Sequence, residues 1–264
     1  MDLKTWLETT GKGVDDAVTR CLNLRKNGTW SENMITGEVL TAIDTVEPID
    51  WRGSGFHAGF RLFKASGPHE TANGDIAMKL DFSAPGAGTI HGTKYFEAKK
   101  LYVETGKYGA FDGSQLARMQ AKPGHEVLLY RFGQGAGDLL VGTALCIPTP
   151  MAVLLEKQGP KALDRTATPF LGVLLGALMG RGLDWDLATA GAFEGFYRHA
   201  VKPPSFKVLA RLGPLDFVRE LDSVLAPEGY EAMTERDPSD DHGHDPDPSN
   251  GNGRSKGNGH DLGR

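Results

Sequence analysis

The sequence predicts an α/β protein: a mixed sheet of four to five strands flanked by helices, then a helical C-terminal region and a disordered tail. Three observations predict it. Ile76, Met78, Leu80 and Phe82 alternate with Ala77, Lys79 and Asp81, the period of a strand. Apolar residues before position 44 and again after position 150 recur at helical spacing. The chain of 264 residues is long enough for one large domain or for a domain with a helical extension.

The elements follow in order. Leu3, Trp6 and Leu7 predict a short first helix, and Val14, Ala17, Val18, Cys21 and Leu22 a second. Ser31 is an expected N-cap for a third, carried by Met34, Ile35, Val39, Ala42 and Ile43 and ended by Pro48. Strands are expected over 56–62, 76–82 and 95–102, the last two joined as a hairpin or meander by the Gly/Pro-rich connection 83–92. A short helix over 113–121 and strands over 125–132 and 139–147 follow, with the glycines of 133–137 as a turn. Helices are expected over 151–156, 170–179, 188–199 and 215–225. From Thr234 the chain is Asp, Pro, Ser, Asn, Gly and His, which bury almost nothing. The expected organisation is a core with N-terminal helices over 1–150, a helical region packed on it over 151–233, and a tail over 234–264.

Composition narrows the function classes. Hydrophobic residues make up 39% and charged residues 24%, as in a soluble globular protein. The net charge is -5; residues 235–264 hold seven acidic and four basic side chains, a net of -3, which leaves -2 for the body. Cys21 and Cys146 stand far apart, so neither a disulfide framework nor a Cys-rich metal site is expected, and a reducing cytoplasm is. The first residues lack the charged-then-apolar order of a signal peptide. The apolar run 170–179 is too short for a membrane span of about 20 residues and reads as a buried helix.

Chemistry gathers around Asp75 and Glu97-Ala98-Lys99. Side chains two apart on a strand share a face, so Glu97 and Lys99 point together while Phe96 and Ala98 pack behind them. Asp75 stands at the mouth of the neighbouring alternating strand, where pairing of the two strands brings it to Glu97. Two carboxylates are hard oxygen ligands for Mg²⁺ or Mn²⁺, and an adjacent lysine orients water and stabilises phosphate charge. That combination suits phosphodiester hydrolysis.

Asp75, a gap of 21 residues and then Glu97-Ala98-Lys99 resembles the split D…(D/E)xK signature of the PD-(D/E)xK nuclease superfamily. The resemblance covers roughly 31–132: a helix with a glutamate, a Gly-Asp leading a strand, a strand ending in Glu-Ala-Lys, then a helix and a strand. The family's proline ahead of the aspartate is Gly74 here. The resemblance implies a restriction-endonuclease-like core and Mg²⁺-dependent endonucleolytic cleavage of DNA. RNA is left open, and defence against phage or plasmids is the expected setting. Asp75 and Glu97 are then metal ligands, and Lys99 activates water and stabilises the transition state.

It further implies Glu38, on the stripe of the third helix, as a third metal ligand. Glu70, just ahead of the aspartate, and Gln115, on the helix after the Glu-Ala-Lys strand, are supporting residues. A local basic surface is needed to bind nucleic acid, and Lys100, Lys107, Arg118 and Lys122 are the expected phosphate contacts. The other reading of the same residues is a catalytically inactive nuclease-fold module that binds nucleic acid or a protein partner. The helical C-terminal region is the expected contact for such a partner or for a second copy of the chain.

Overall fold

Where the spacing predicts two opening helices, the computed structural model has one, α1 (Leu3–Asn23). It describes residues 1–45, 47–65, 75–111, 117, 119–120, 124–135, 139–195 and 204–233. Gly11 and Gly13, which separate the two expected segments, lie inside this continuous helix, where they face Leu171 Cδ2 and Ala42 Cβ respectively. Asp2 caps the helix by accepting Thr5 N–H at 3.0 Å. The next helix, α2 (Glu32–Ile43), is capped as expected by Ser31, which accepts Met34 N–H at 3.3 Å.

Nine strands among the described residues form one mixed sheet. They are β1 (Ile49–Asp50), β2 (His57–Ala65), β3 (Ile76–Ala84), β4 (Gly88–Lys100), β5 (His125–Gln134), β6 (Leu140–Pro148), β7 (Thr168–Pro169), β8 (Phe206–Gly213) and β9 (Tyr230–Ala232). Their order is β1-β2-β8-β3-β4-β5-β6-β7, with β9 also on β2. β8 runs parallel to β3, and β5 parallel to β4. The other pairs are antiparallel.

The sheet is therefore larger than the four to five strands expected. The region after position 150 is not only helical, because it sends β8 between β2 and β3. The alternation Phe206, Val208, Ala210 against Lys207, Leu209, Arg211 is there in the sequence, but its partners lie more than a hundred residues away. The 83–92 connection is also mostly strand. Only 85–87 form the turn, eased by Gly86 and Gly88 at φ 77° and 73°.

Both faces of the sheet are covered. Ile76, Met78, Leu80, Phe96, Ala98, Leu128, Tyr130, Phe206 and Val208 point to one side, into the main core with α1, α2 and α5 (Phe170–Leu178). The run 170–179 is thus a core helix, with Phe170, Leu174, Ala177 and Leu178 buried. On the other face, Val127 and Leu129 pack with Ala152 of α3 (Thr149–Leu155) and Leu163 of α4 (Pro160–Thr166). Ala77 and Tyr95 meet Phe193 of α6 (Leu187–Gly195), and Phe63 and Leu209 meet Val218 of α7 (Leu215–Arg219). Among the described residues no helix is long and apolar enough to cross a membrane. Most of the helix expected over 113–121, residues 196–199 and the tail from 234 lie outside the described residues.

Candidate active site

The β3–β4 ladder begins at Ile76 opposite Phe96, so Asp75, one residue earlier, stands across from Glu97 on the same face of the sheet. Two backbone bonds hold it there. Asp75 Oδ2 accepts Ala98 N–H at 2.7 Å, and its carbonyl accepts Phe206 N–H of β8 at 3.0 Å. Glu97 is 3% exposed, and its Oε1 accepts from Lys99 Nζ at 2.6 Å. The strand period thus brings the acid and the amine together, and the antiparallel register adds the second acid.

A third carboxylate, Glu32, lies near enough to act on Asp75 and Lys99 through its charge. It occupies the first turn of α2, where the positive end of the helix favours a negative side chain. Glu32 Oε1 accepts Lys100 N–H at 3.1 Å, which holds it against the end of β4. The loop after β4 passes close by: a β-carbon at Gly109 would lie 3.2 Å from Glu32 Oε1 and 3.7 Å from Lys99 Cδ. A β-carbon at 109 would touch the lysine stem at ordinary contact distance and press on the Glu32 carboxylate.

Charge is unbalanced in this corner. Burial of its carboxyl group, then the neighbouring Glu97 and Glu32 charges, push Asp75 up to about 8, against the pull of Lys99 and the Ala98 N–H. Burial alone would lower the Lys99 ammonium, but Glu97, Glu32 and Asp75 together raise it above its ordinary value. Lys99 therefore stays protonated, one cation among three carboxyl groups.

The remaining expected residues divide. Glu38 is not in this group: it pairs with Arg20 of α1, its side chain 25% exposed. Six residues along a helix turn the side chain by about 240° from Glu32, so one face of α2 looks at the site and another at α1. The apolar stripe did not separate them, because Ile35, Thr36, Gly37, Val39, Leu40 and Ile43 are all buried. The signal for Glu32 was its place directly after the Ser31 cap, at the helix end that meets the strand ends. Lys100 directs its ammonium to Trp30 O at 2.6 Å and lies 4.9 Å over the Tyr102 ring, half-buried at the end of β4. Lys107 is exposed on the loop beyond β4. Glu70, Gln115, Arg118 and Lys122 lie outside the described residues.

Among the described residues no three His, Cys, Asp or Glu side chains are grouped so as to hold a metal ion by themselves. Mg²⁺ does not require three: it keeps several waters and is bound through one or two carboxylates and the substrate phosphate. Hard oxygen donors with excess negative charge, as at Asp75 and Glu97, fit such an ion. No protein-family model, curated protein or solved structure matches this chain.

Proposed function

We propose that this chain is a metal-dependent endonuclease that hydrolyses phosphodiester bonds in DNA, on a restriction-endonuclease-like core of the PD-(D/E)xK type. One observation carries the reading: Asp75, Glu97 and Lys99 converge at adjoining strand positions, with Asp75 raised by burial and then by the Glu97 charge beside it. Asp75 and Glu97 would hold Mg²⁺ or Mn²⁺. Bound there, the ion lowers the pKa of a water and neutralises charge that develops on the phosphate.

The chain's own groups have separate tasks. Asp75 releases the proton it holds below about pH 8 when a cation takes its place. Lys99, kept protonated, is a hydrogen-bond donor and not a base; it orients the attacking water or a phosphate oxygen and stabilises negative charge in the transition state. Glu97 aims Lys99 through their 2.6 Å bond. Ala98 N–H fixes the Asp75 carboxylate by a charge-assisted hydrogen bond.

The test is nicking of supercoiled plasmid with Mg²⁺, Mn²⁺ or chelator. Wild-type protein is expected to cut only with metal, and Asp75→Ala and Lys99→Ala are expected to lose about 10²–10³-fold or more in rate. Cutting by Asp75→Ala at the wild-type rate would overturn the assignment. Intact plasmid with every metal, together with retention of DNA in a gel shift, would favour an inactive nucleic-acid-binding module instead.

A further inference from the structure

Behind the carboxylates, a chain of buried hydroxyl groups ties the first turn of α2 to the sheet. Tyr130 on β5 and Thr36 on α2 are 0% and 1% exposed, and their hydroxyl oxygens lie 2.8 Å apart. Thr36 Oγ1 donates to the Glu32 carbonyl at 2.7 Å. A carbonyl only accepts, so the proton between the two hydroxyls comes from Tyr130. The chain has one direction, from Tyr130 Oη to Thr36 Oγ1 to Glu32 O.

Its location argues against a purely packing role. Tyr130 stands opposite Lys100 in the parallel β4–β5 register, and Lys100 N–H is the donor to the Glu32 carboxylate. Glu32 is thus gripped twice, its carbonyl through Thr36 and Tyr130, its side chain through Lys100. Trp30 reinforces the junction by donating Nε1–H to Leu101 O at 3.0 Å. Phenylalanine at 130 would fill the same apolar space without a buried hydroxyl, and a hydroxyl taken out of water is costly unless it is bonded. Burial holds the Tyr130 phenol well above its ordinary value, so it remains a donor.

We propose that Tyr130 and Thr36 are positioning residues for the acidic site: they keep Glu32 beside Asp75 and Lys99 so that the cluster takes up a divalent cation. This inference rests on the nuclease reading. It differs in what it demands, namely that two hydroxyl groups outside the cation's reach govern its affinity. Glu32 is not itself a ligand in this reading but acts through its charge beside Asp75 and Lys99, and outer groups that support a metal site change its affinity or activity by about 10–100-fold when removed.

The experiment uses the full chain with four variants: Tyr130→Phe, Thr36→Val, Thr36→Ser and the double Tyr130→Phe/Thr36→Val. Mn²⁺ binding is followed by calorimetry, plasmid cleavage by kcat and KM, and folding by thermal melting in chelator. Tyr130→Phe and Thr36→Val are expected to weaken Mn²⁺ binding about tenfold and to lower kcat with KM for DNA unchanged. The double variant is expected to be no worse than either single one, because one chain is cut once. Thr36→Ser keeps the hydroxyl and is expected to match wild type. Wild-type Mn²⁺ affinity in Tyr130→Phe and Thr36→Val, even with lower melting temperatures, would reduce the hydroxyl chain to a stability role. Equal losses in Thr36→Ser and Thr36→Val would overturn the proposal too. If wild type binds and cuts while the variants do likewise, this inference alone fails; if wild type neither binds Mn²⁺ nor cuts, the nuclease reading fails and takes it along.

Discussion

β4 carries the lysines of two buried Lys–Glu pairs that are equal in length and unlike in their charge surroundings. Lys94 meets Glu126 at 2.6 Å on one face of the sheet, and Lys99 meets Glu97 at 2.6 Å on the other. Around Lys94 the charges balance: one ammonium, one carboxylate and the Gly182 carbonyl at 2.9 Å. Around Lys99 they do not, because Asp75 and Glu32 add two more carboxyl groups. Distance and burial therefore do not tell the two pairs apart. The surplus of like charge, which a folded chain tolerates only at a cost, is the informative feature.

Four changes break or sharpen this contrast. Largest is Lys94→Met, which leaves Glu126 without its buried partner and should cost about 3–5 kcal/mol of stability in denaturant unfolding. Adding Glu126→Gln should recover most of that loss, and the refolded protein should still cut at the wild-type rate. On the unbalanced side, Glu32→Gln keeps the shape but removes one negative charge; Mn²⁺ affinity by calorimetry should fall about tenfold with little change in melting temperature.

Asp75→Asn should do the opposite of most substitutions in a core. Its folded-state pKa of about 8 lies above the ordinary value of 3.8, so the folded chain binds the proton more tightly than the unfolded one. The associated stability is complete at pH below 3.8 and is lost as pH rises through about 8. The neutral asparagine escapes that loss, so in chelator its melting temperature should exceed wild type by on the order of 2–4 °C at pH 9, with the advantage shrinking towards pH 5. Equal gains at both pH values would contradict the raised Asp75 pKa that burial and the Glu97 charge produce. Glu38→Ala is the smallest change: the half-exposed pair with Arg20 should be worth less than about 1 kcal/mol, and cleavage should not change.

Much of the site was legible beforehand, and the reason is local. Glu97 and Lys99 share a face because a strand repeats every second residue, and the Asp75 strand alternates in the same way. Periodicity did not separate Glu38 from Glu32 because it ranks positions by apolar neighbours, and α2 is buried on more than one side. β8 was missed because Phe206–Gly213 sits between helical patterns, and only its distant partners reveal it as a central strand. That Lys100 gives its ammonium to the Trp30 carbonyl could not be read from the sequence, since the two are 70 residues apart.

By itself, then, the sequence determined which side chains stand together within one strand and where α2 begins, since both depend on backbone period and capping. Tertiary structure alone decided which glutamate of α2 reaches the site, how the β3–β4 register sets Asp75 against Glu97, and that a strand from the far end of the chain backs Asp75. Those are docking outcomes. They depend on which surfaces bury each other across long stretches of chain, and no local period encodes that.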